Sequence, residues 1–306
     1  MRAGLRLAVP AAASVLPLLL SGCFFLSTTR KLPLPKGPPT IQTITPEELV
    51  NRLDQRWAAL DTLSAKVDLQ ASVLHSSQGT AKDYTSIPGV IVMRKPEMLR
   101  VYGMVPVIRT EMFDMVSDGK NWKLYIPSKS KVIEGSNSVE KKSENQLENL
   151  RPGFFLDALG VRALNQDEYY TVISDTVTVE DPTKKHLYSV PEYILSILRR
   201  KPDSREEALV RVVRFHRDDL LPYQQDIYDS KGDVETQVFY ENYGDFGANK
   251  YPTKVTIKRP LDEIQVVLTV ESVTENRPMP ADEFTIKIPP DTQVQMLDST
   301  APNSAP

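Results

Sequence analysis

The chain has 306 residues, of which 41% are hydrophobic and 25% are charged, and its formal net charge is -3. This composition is typical of a globular protein and excludes collagen-like, coiled-coil and wholly disordered chains. The near-neutral charge lacks the basic surplus that nucleic-acid binding requires, so no nucleic-acid partner is expected. A single cysteine excludes an internal disulfide and any multi-thiolate zinc or iron–sulfur site. The length allows one large β domain or two small domains.

The first 22 residues have the pattern of a secretory signal peptide. Arg2 and Arg6 precede an apolar run over 7–20, which two prolines interrupt and which is too short for a membrane span of roughly 20 residues. The sequence Leu-Ser-Gly then precedes Cys23, and this ending resembles the bacterial lipoprotein box, in which the chain is cut just before a lipidated cysteine. The resemblance predicts a lipid anchor at Cys23. A conventional signal peptide that is cut elsewhere is the alternative.

The residues after the cysteine bear on location. Phe24, and not Asp, follows the cysteine, and by the rule of enteric bacteria this resembles a lipoprotein sent to the outer membrane. Residues 23–45 form the lipidated cysteine and a Pro-rich tether, and residues 291–306 are expected to form a flexible tail. The expected location is the cell envelope of a Gram-negative bacterium, lipid-anchored at the outer membrane and facing the periplasm.

The body of the chain, residues 46–290, has a mostly β pattern. One helix opens it, with Thr45 as its N-cap and Glu48 completing a capping box. The apolar period then changes to two, and about a dozen alternating runs follow, separated by turns. A second helical stretch is predicted over 144–159, interrupted at Pro152.

The number of strands predicts a curved sheet. The predicted strands include 107–117 and 284–288. Each alternating strand has one apolar face, whereas only two helices are available to cover these faces. A flat sheet of this width would expose more apolar surface than a soluble monomer normally does, so we expect the sheet to curl with its apolar faces inside. A sheet of more than about eight strands then encloses space. An apolar cavity under a helical lid is therefore expected, and such cavities bind lipid or another apolar ligand.

Three segments carry a resemblance to a known family. Residues 89–101 contain a Lys95-Pro96 bend followed by an arginine, 116–127 contain an Asp-Gly hairpin with an aromatic residue and a proline beyond it, and 276–289 have an Asn…Phe…Pro order. In this order they resemble the LolA/LolB lipoprotein-sorting family. The resemblance implies an unclosed half-barrel that binds acyl chains in the periplasm. We therefore expect a mainly β fold in which a curved antiparallel sheet of about eleven or twelve strands forms the half-barrel, with a small helical lid.

Apolar side chains that share strand faces are the candidates for lining the cavity, and five of the eight methionines, which fit varied apolar shapes, fall between 93 and 115. The alternative is that these side chains pack against one another or against the helices. The candidates are Trp122, Leu124, Ile126, Leu195, Ile197, Val213, Phe215, Leu268, Val270, Met112, Met115 and Phe155.

Catalytic and metal-binding motifs are missing from the sequence. His75, His186 and His216 have no metal-ligand spacing, and there is no G-x-S-x-G elbow. Two kinase-like triplets, at 216–218 and 245–247, lack the asparagine and the glycine-rich loop that a kinase needs. We expect no enzyme activity, no catalytic residue, no metal site and no cofactor.

The predicted function is the binding of acyl chains of a lipid or lipoprotein, for envelope lipid or lipoprotein transport or sorting. The expected partners are those acyl chains, the membrane through the N-terminal anchor, and an envelope transport partner. The alternative is a non-catalytic interaction or envelope-stress sensor protein on the same scaffold. A carrier predicts co-purifying lipid that is lost when Arg replaces Leu268 or Phe215, whereas a sensor predicts a stable protein partner.

Overall fold

The computed structural model describes residues 41–137, 150–180, 187–201 and 204–297, which belong to one compact unit. The predicted signal peptide, Cys23, most of the tether, the first part of the second helical stretch and the end of the tail lie outside the described residues. The helices are α1 (Pro46–Ala58) and α2 (Pro152–Ala158). The first seven strands are β1 (Thr62–His75), β2 (Thr80–Asp83), β3 (Ile87–Arg94), β4 (Met98–Met104), β5 (Glu111–Ser117), β6 (Asn121–Ile126) and β7 (Lys131–Ser136). The others are β8 (Glu168–Glu180), β9 (Leu187–Arg200), β10 (Glu207–His216), β11 (Pro222–Tyr228), β12 (Val234–Phe246), β13 (Asn249–Arg259), β14 (Ile264–Glu275) and β15 (Gln293–Met296).

The fifteen strands of the described residues form one sheet made of two antiparallel meanders. The first meander runs outward from β1 through β3 to β7, and the second returns from β8 to β14, so that β1 and β14 pair in the middle. The short β2 pairs with β1. β15 lies parallel to β7 at one end of the strand order, and β8 lies at the other end. Because these two end strands do not pair with each other, the described part of the sheet is unclosed.

The inner face of this sheet is buried more completely than two helices can explain. Ile133 on β7 and Ile197 on β9 lie near opposite ends of the strand order, and both are fully buried. The helices α1 and α2 have only 13 and 7 residues. β-Bulges, for example beside Val67 on β1 and Phe215 on β10, bend the strands they interrupt. The sheet therefore curves over its own apolar face, and the predicted fold class, a mainly β unclosed half-barrel with a small helical part, is confirmed.

The predicted N-cap at the start of α1 forms, whereas the Glu48 carboxylate of the predicted capping box accepts from Arg52 at 3.1 Å. The Glu48 backbone N–H donates to Thr45 Oγ1 at 3.2 Å, which satisfies one of the free N–H groups of the first helical turn. At the other end of the helix, Arg56 donates to Glu275 at the end of β14 over 2.5 Å. Glu275 also accepts hydrogen bonds from Tyr251 and Asn249. This cluster of four side chains fastens α1 across the ends of β13 and β14.

A segment after β14, the outer strap (residues 276–292), crosses the opposite face of the first meander. Arg94 donates to the backbone oxygen of Met279 at 2.8 Å, and Arg100 donates to that of Glu283 at 3.1 Å. Arg100 also forms two hydrogen bonds, of 3.0 and 2.7 Å, with the buried Asp114. Burial raises the pKa of Asp114, although Arg100 opposes that shift. The strap connects β14 to β15, which pairs with the edge of β7.

Several predicted boundaries are wrong. The predicted strand 107–117 begins only at Glu111, because the residues before it form a tight loop with Val107 in the left-handed region. The predicted strand 284–288 belongs to the outer strap, and residues 293–296, assigned to the tail, form β15. With β2 and β7 also added, fifteen strands replace about a dozen. α2 begins at Pro152, whose missing N–H costs nothing at the first helical position, and residues 144–149 of the predicted helical stretch lie outside the described residues.

The Glu275 cluster predicts a specific pH dependence of stability. Burial alone would raise the pKa of Glu275, but the hydrogen bonds from Arg56 and Tyr251 outweigh burial and hold this pKa below 4.5. Its stabilising contribution is therefore complete above the unfolded-state pKa and is lost as the pH falls through the lower folded-state value. We expect Glu275→Gln to lower the free energy of unfolding at about pH 7 and to flatten its decline toward about pH 3, as measured by urea denaturation.

The control for this prediction is Glu271→Gln, which changes an exposed carboxyl on the same strand. It should leave the pH profile close to that of the unaltered protein. Identical profiles for Glu275→Gln and Glu271→Gln would contradict the assigned role of the cluster.

Candidate functional site: an apolar cavity under α2

A cavity of about 500 Å³ lies between α2 and the inner face of the sheet. Its walls come from β1, β3, β5, β6 and β14, which the strand order brings together around the β1–β14 junction. Phe155 of α2 closes one side. The site therefore belongs mainly to the first meander, and β14 is the strand of the second meander that contributes to it.

The lining changes from a buried base to an exposed rim. The buried base consists of Leu69, Ile87, Met115, Leu124, Phe155 and Val266. Half-buried side chains between base and rim are Ala71, Phe113 and Ile126. The rim consists of Tyr84, Thr85, Pro106, Met112, Lys129 and Leu150, which are half-buried or exposed. Polar groups are thus confined to the rim, and a ligand in the base would meet only apolar side chains.

Two glycines that face each other make room for these side chains. Gly89 on β3 pairs directly with Gly103 on β4. A Cβ added to Gly103 would lie 2.5 Å from the Phe113 ring and 2.6 Å from Ile87 Cδ1, and one added to Gly89 would collide with Leu69. Glycine inside a strand often marks such a close approach. The pair lets three lining side chains lie flat against the sheet and leaves the space in front of them open.

The concave face of the second meander is filled by the chain around and after α2. Gln225 donates to the backbone oxygen of Asp157 at 3.0 Å, and Arg211 donates to those of Arg162 and Ala163 at 2.9 Å each. Arg211 is buried, and this burial lowers the pKa of its guanidinium. These hydrogen bonds hold the segment against β10 and β11, and the large cavity is left on the first-meander side.

An exposed apolar loop between β4 and β5, the rim loop (residues 105–110), adjoins the cavity through Pro106. Val107 and Ile108 at its tip are 93% and 67% exposed. The loop is tightly closed, because Val105 N–H donates to Thr110 O at 2.8 Å and Arg109 N–H donates to Val105 O at 3.0 Å. Val107 has φ of 71°, a conformation that costs a β-branched residue about 1–3 kcal/mol. Neither burial nor local conformation favours valine at this position.

The twelve predicted lining residues fall into three groups. Met112, Met115, Leu124, Ile126 and Phe155 line the large cavity. Leu268 and Val270 line a second pocket of about 30 Å³ farther along the inner face. The other five, Trp122, Leu195, Ile197, Val213 and Phe215, are at most 1% exposed and belong to the packed core, outside both cavities.

Trp122 illustrates why a shared strand face was insufficient evidence. It alternates with Leu124 and Ile126 on β6, but its ring lies over Gly135 of β7, where an added Cβ would lie 2.9 Å from the ring. The Trp122 ring therefore packs over Gly135 and does not line the cavity. Lining residues that were missed include Leu69 and Ala71 on β1, although their alternation was visible in the sequence. The signal that could have located this wall of the cavity is the pair of glycines, Gly89 and Gly103, that face each other on β3 and β4.

The described residues contain no group of three or more His, Cys, Asp or Glu side chains placed to hold a metal ion. Neither α-helix in the described ranges has the length and apolar character that crossing a membrane requires.

No protein-family model matches the chain, and no curated protein matches it. Solved structures do show similarity. A LolA superfamily protein from Nitrosomonas europaea has 15% identity and a TM-score of 0.49, with 80% of this chain and 99% of the other covered. A DUF1329 family protein from Desulfovibrio piger has 14% identity and a TM-score of 0.50, with 78% and 95% covered. A Vibrio parahaemolyticus domain named for outer membrane lipoprotein sorting has 12% identity and a TM-score of 0.44, with 78% and 94% covered.

These similarities concern the fold. At 14% identity, the likeness to the Desulfovibrio piger protein is one of chain path and does not extend to what is bound. Two of the three proteins carry names from the group that the sequence motifs resemble.

Proposed function

We propose that this chain is a membrane-anchored lipoprotein of the Gram-negative envelope that binds acyl chains in the cavity under α2, for lipid or lipoprotein transport or sorting. The single observation that carries the proposal is a cavity of about 500 Å³ whose base is lined only by apolar side chains. This volume is within the range of small-molecule sites. Each methylene group moved from water into such a base contributes about 0.8 kcal/mol, so a long acyl chain is the ligand that gains most.

The anchor and the location are part of the same proposal. They are supported by the signal-like segment, by the lipoprotein-box pattern before Cys23 and by the Pro-rich tether. A lipid-carrying cysteine would keep the body beside a membrane, from which acyl chains come and to which they go. The outer membrane, facing the periplasm, is the proposed location because Phe24 follows Cys23.

The rim loop is the proposed contact with the bilayer. Val107 and Ile108 are apolar, exposed and next to the mouth of the cavity, so they can enter the membrane surface while an acyl chain moves in or out. Large exposed apolar side chains that do not assist folding indicate an interaction surface.

The test of the function is native mass spectrometry of residues 23–306 carrying Cys23→Ala, expressed without the first 22 residues. Bound acyl-containing mass that survives purification is expected. A protein that is free of lipid, and that takes up no acyl ligand when one is added, would contradict the proposal.

Replacing the loop tip should separate stability from membrane binding. We expect the double variant Val107→Asn and Ile108→Ser to bind lipid vesicles several-fold more weakly in co-sedimentation. Asparagine tolerates the left-handed conformation, so the free energy of unfolding should be unchanged or raised by up to about 1 kcal/mol. The control is Ile173→Ser with Val179→Ser, two exposed apolar side chains on β8. Equal loss of vesicle binding in both double variants would argue against the rim loop.

One observation favours the interaction or sensor alternative. β8 is a strand of 13 residues at the end of the strand order, and it exposes Tyr169 and Ile173. An unpaired strand edge can pair with an extended segment of a protein partner. A lipid-free protein that co-purifies with one stoichiometric protein partner would support this alternative in place of the carrier.

A further inference from the structure

We infer that the protein forms a reversible dimer in which the β8 strands of two copies pair antiparallel, with Ile173 of each copy at the two-fold axis. This inference goes beyond the proposed function and does not depend on it, because β8 contributes no residue to the lining of the large cavity. It rests on the regularity of β8, on the apolar side chains of its outer face, and on the register that its charges allow.

β8 is a long and regular edge strand. It pairs with β9 over all of its 13 residues without a register shift, whereas its other edge has no partner among the described residues. At the other end of the strand order, the edge of β7 is covered by β15, which has only 4 residues. Natural proteins protect an exposed edge with proline, lysine, a bulge or a short strand, and β8 has none of these. Its edge is therefore available to another strand.

Alternate residues of β8 give it an apolar outer face. Val172 packs against the core, so the even-numbered residues face inward and the odd-numbered residues face outward. Tyr169 and Ile173, on the outer face, are 51% and 52% exposed. Ile173 lies beside the buried Ile194 of β9. A second copy of β8 would cover Ile173 and continue this apolar row across the joint.

Charge selects one register for the pairing of β8 with its own copy. Residues that face each other across an antiparallel pair lie on the same face of the sheet. The full-length register places Glu168 opposite Glu180, and a shift by one pair in one direction places Asp175 opposite itself. A shift by one pair in the other direction places Ile173 opposite itself, and no two acidic residues then face each other. This is the longest register without such a repulsion, and it pairs residues 168–178 of each copy.

The selected register also matches side chains in kind. Tyr169 faces Val177 of the second copy on the outer face, and Thr171 faces Asp175, to which its hydroxyl can donate. Antiparallel pairing over this length forms about ten to twelve backbone hydrogen bonds, which is as many as a typical protein interface has. A joint one strand wide buries less than the roughly 800 Å² per partner of a standard interface. The dimer is therefore reversible, with a dissociation constant on the order of micromolar.

Cross-linking at the two-fold axis tests the register. Residues 23–306 carrying Cys23→Ala contain no cysteine. In this background, Ile173→Cys places two thiols opposite each other, with Cβ atoms about 4.5–5.5 Å apart, and should give a disulfide-linked dimer on oxidation with diamide. The control is Asp175→Cys, on the same face of β8. Its two thiols lie about 13 Å apart, because Asp175 is two residues from the axis in each copy, and they should stay unlinked.

Sedimentation equilibrium measures the reversible association. The unaltered protein should change from monomer to dimer over the micromolar range. Thr171→Lys should tighten the dimer about fivefold, because each ammonium meets Asp175 of the other copy, and Thr171→Glu should weaken it by at least as much. Adding Asp175→Lys to Thr171→Glu should restore the affinity. Both positions are exposed, so the far-ultraviolet circular dichroism and the binding of palmitate should not change.

The outcomes separate this inference from the proposed function. A protein that stays monomeric at roughly a hundred times the expected dissociation constant would overturn the inference. A dimer that Thr171→Glu does not weaken, or equal cross-linking of Ile173→Cys and Asp175→Cys, would overturn it because the joint would then lie elsewhere. A monomer that holds another protein on β8 would overturn it in favour of the interaction alternative. Failure of acyl ligands to bind would overturn the proposed function alone.

Discussion

Replacing Ala71 with tryptophan is expected to weaken acyl-chain binding by about tenfold or more while the protein stays folded. Ala71 lies half-buried on the wall of the cavity, on β1, where it pairs with Val266 of the buried base. An indole projecting from this position would occupy space equal to at least two methylene groups of the ligand. Because each buried methylene contributes about 0.8 kcal/mol, the loss of two corresponds to more than tenfold in affinity.

The adjacent residue provides the matched control. Gln70 precedes Ala71 on the same strand and is exposed on the other face of the sheet. Gln70→Trp should bind palmitate as the unaltered protein does, and both variants should keep the far-ultraviolet circular dichroism of a folded β protein. Calorimetric titration measures the difference. Equal affinities for the two tryptophan variants would mean that the ligand does not occupy the cavity.

Replacing Phe215 with alanine is expected to lower stability more than Ala71→Trp does. Phe215 is 1% exposed and lies in the main apolar cluster on β10, so its loss should lower the free energy of unfolding by about 3–5 kcal/mol. Since it does not line the large cavity, the molecules that remain folded should bind palmitate with unchanged affinity. Urea denaturation and calorimetric titration of the same sample measure the two quantities.

Met112→Ala should show the opposite pattern. Met112 is 38% exposed and lines the rim of the cavity, so its truncation should cost less than about 1 kcal/mol of stability and weaken binding several-fold. If Phe215→Ala instead abolished binding in molecules that are still folded, or if Met112→Ala left binding unchanged, the division between core and cavity would be wrong.

Local patterns of the sequence were sufficient to predict the architecture. The N-cap at Thr45, the alternation along β1 and the Asp-Gly turn at 118–119 each depend on neighbouring residues, and each forms as predicted. Among the missed strands, β2 and β7 pair with the strand that precedes each of them, whereas β15 depends on distant residues. β15 is a strand because the outer strap carries it to the edge of β7. Its four residues alternate between polar and apolar, but so short a pattern does not distinguish a strand from a flexible tail.

The division of the inner face could not be predicted in this way. Leu124 and Phe215 are both apolar and both alternate on strands, yet one lines a cavity and the other fills the core. The difference comes from where α2 and the chain after it lie, and that placement depends on Arg211 and Gln225, which are polar residues on inner strand faces. A polar residue on an inner strand face is therefore the sequence signal for where a covering segment packs, because a buried polar side chain requires a hydrogen-bond partner.

The most direct measurement is the position of a heavy-atom label on a bound acyl chain. Crystals grown with palmitate that carries bromine at its terminal carbon should show an anomalous peak inside the buried base, between Leu124, Val266 and Phe155. The carboxylate should lie at the rim of the cavity. A peak on the outside of the sheet, or crystals of a folded protein that show no peak at saturating ligand, would contradict acyl-chain binding in this cavity.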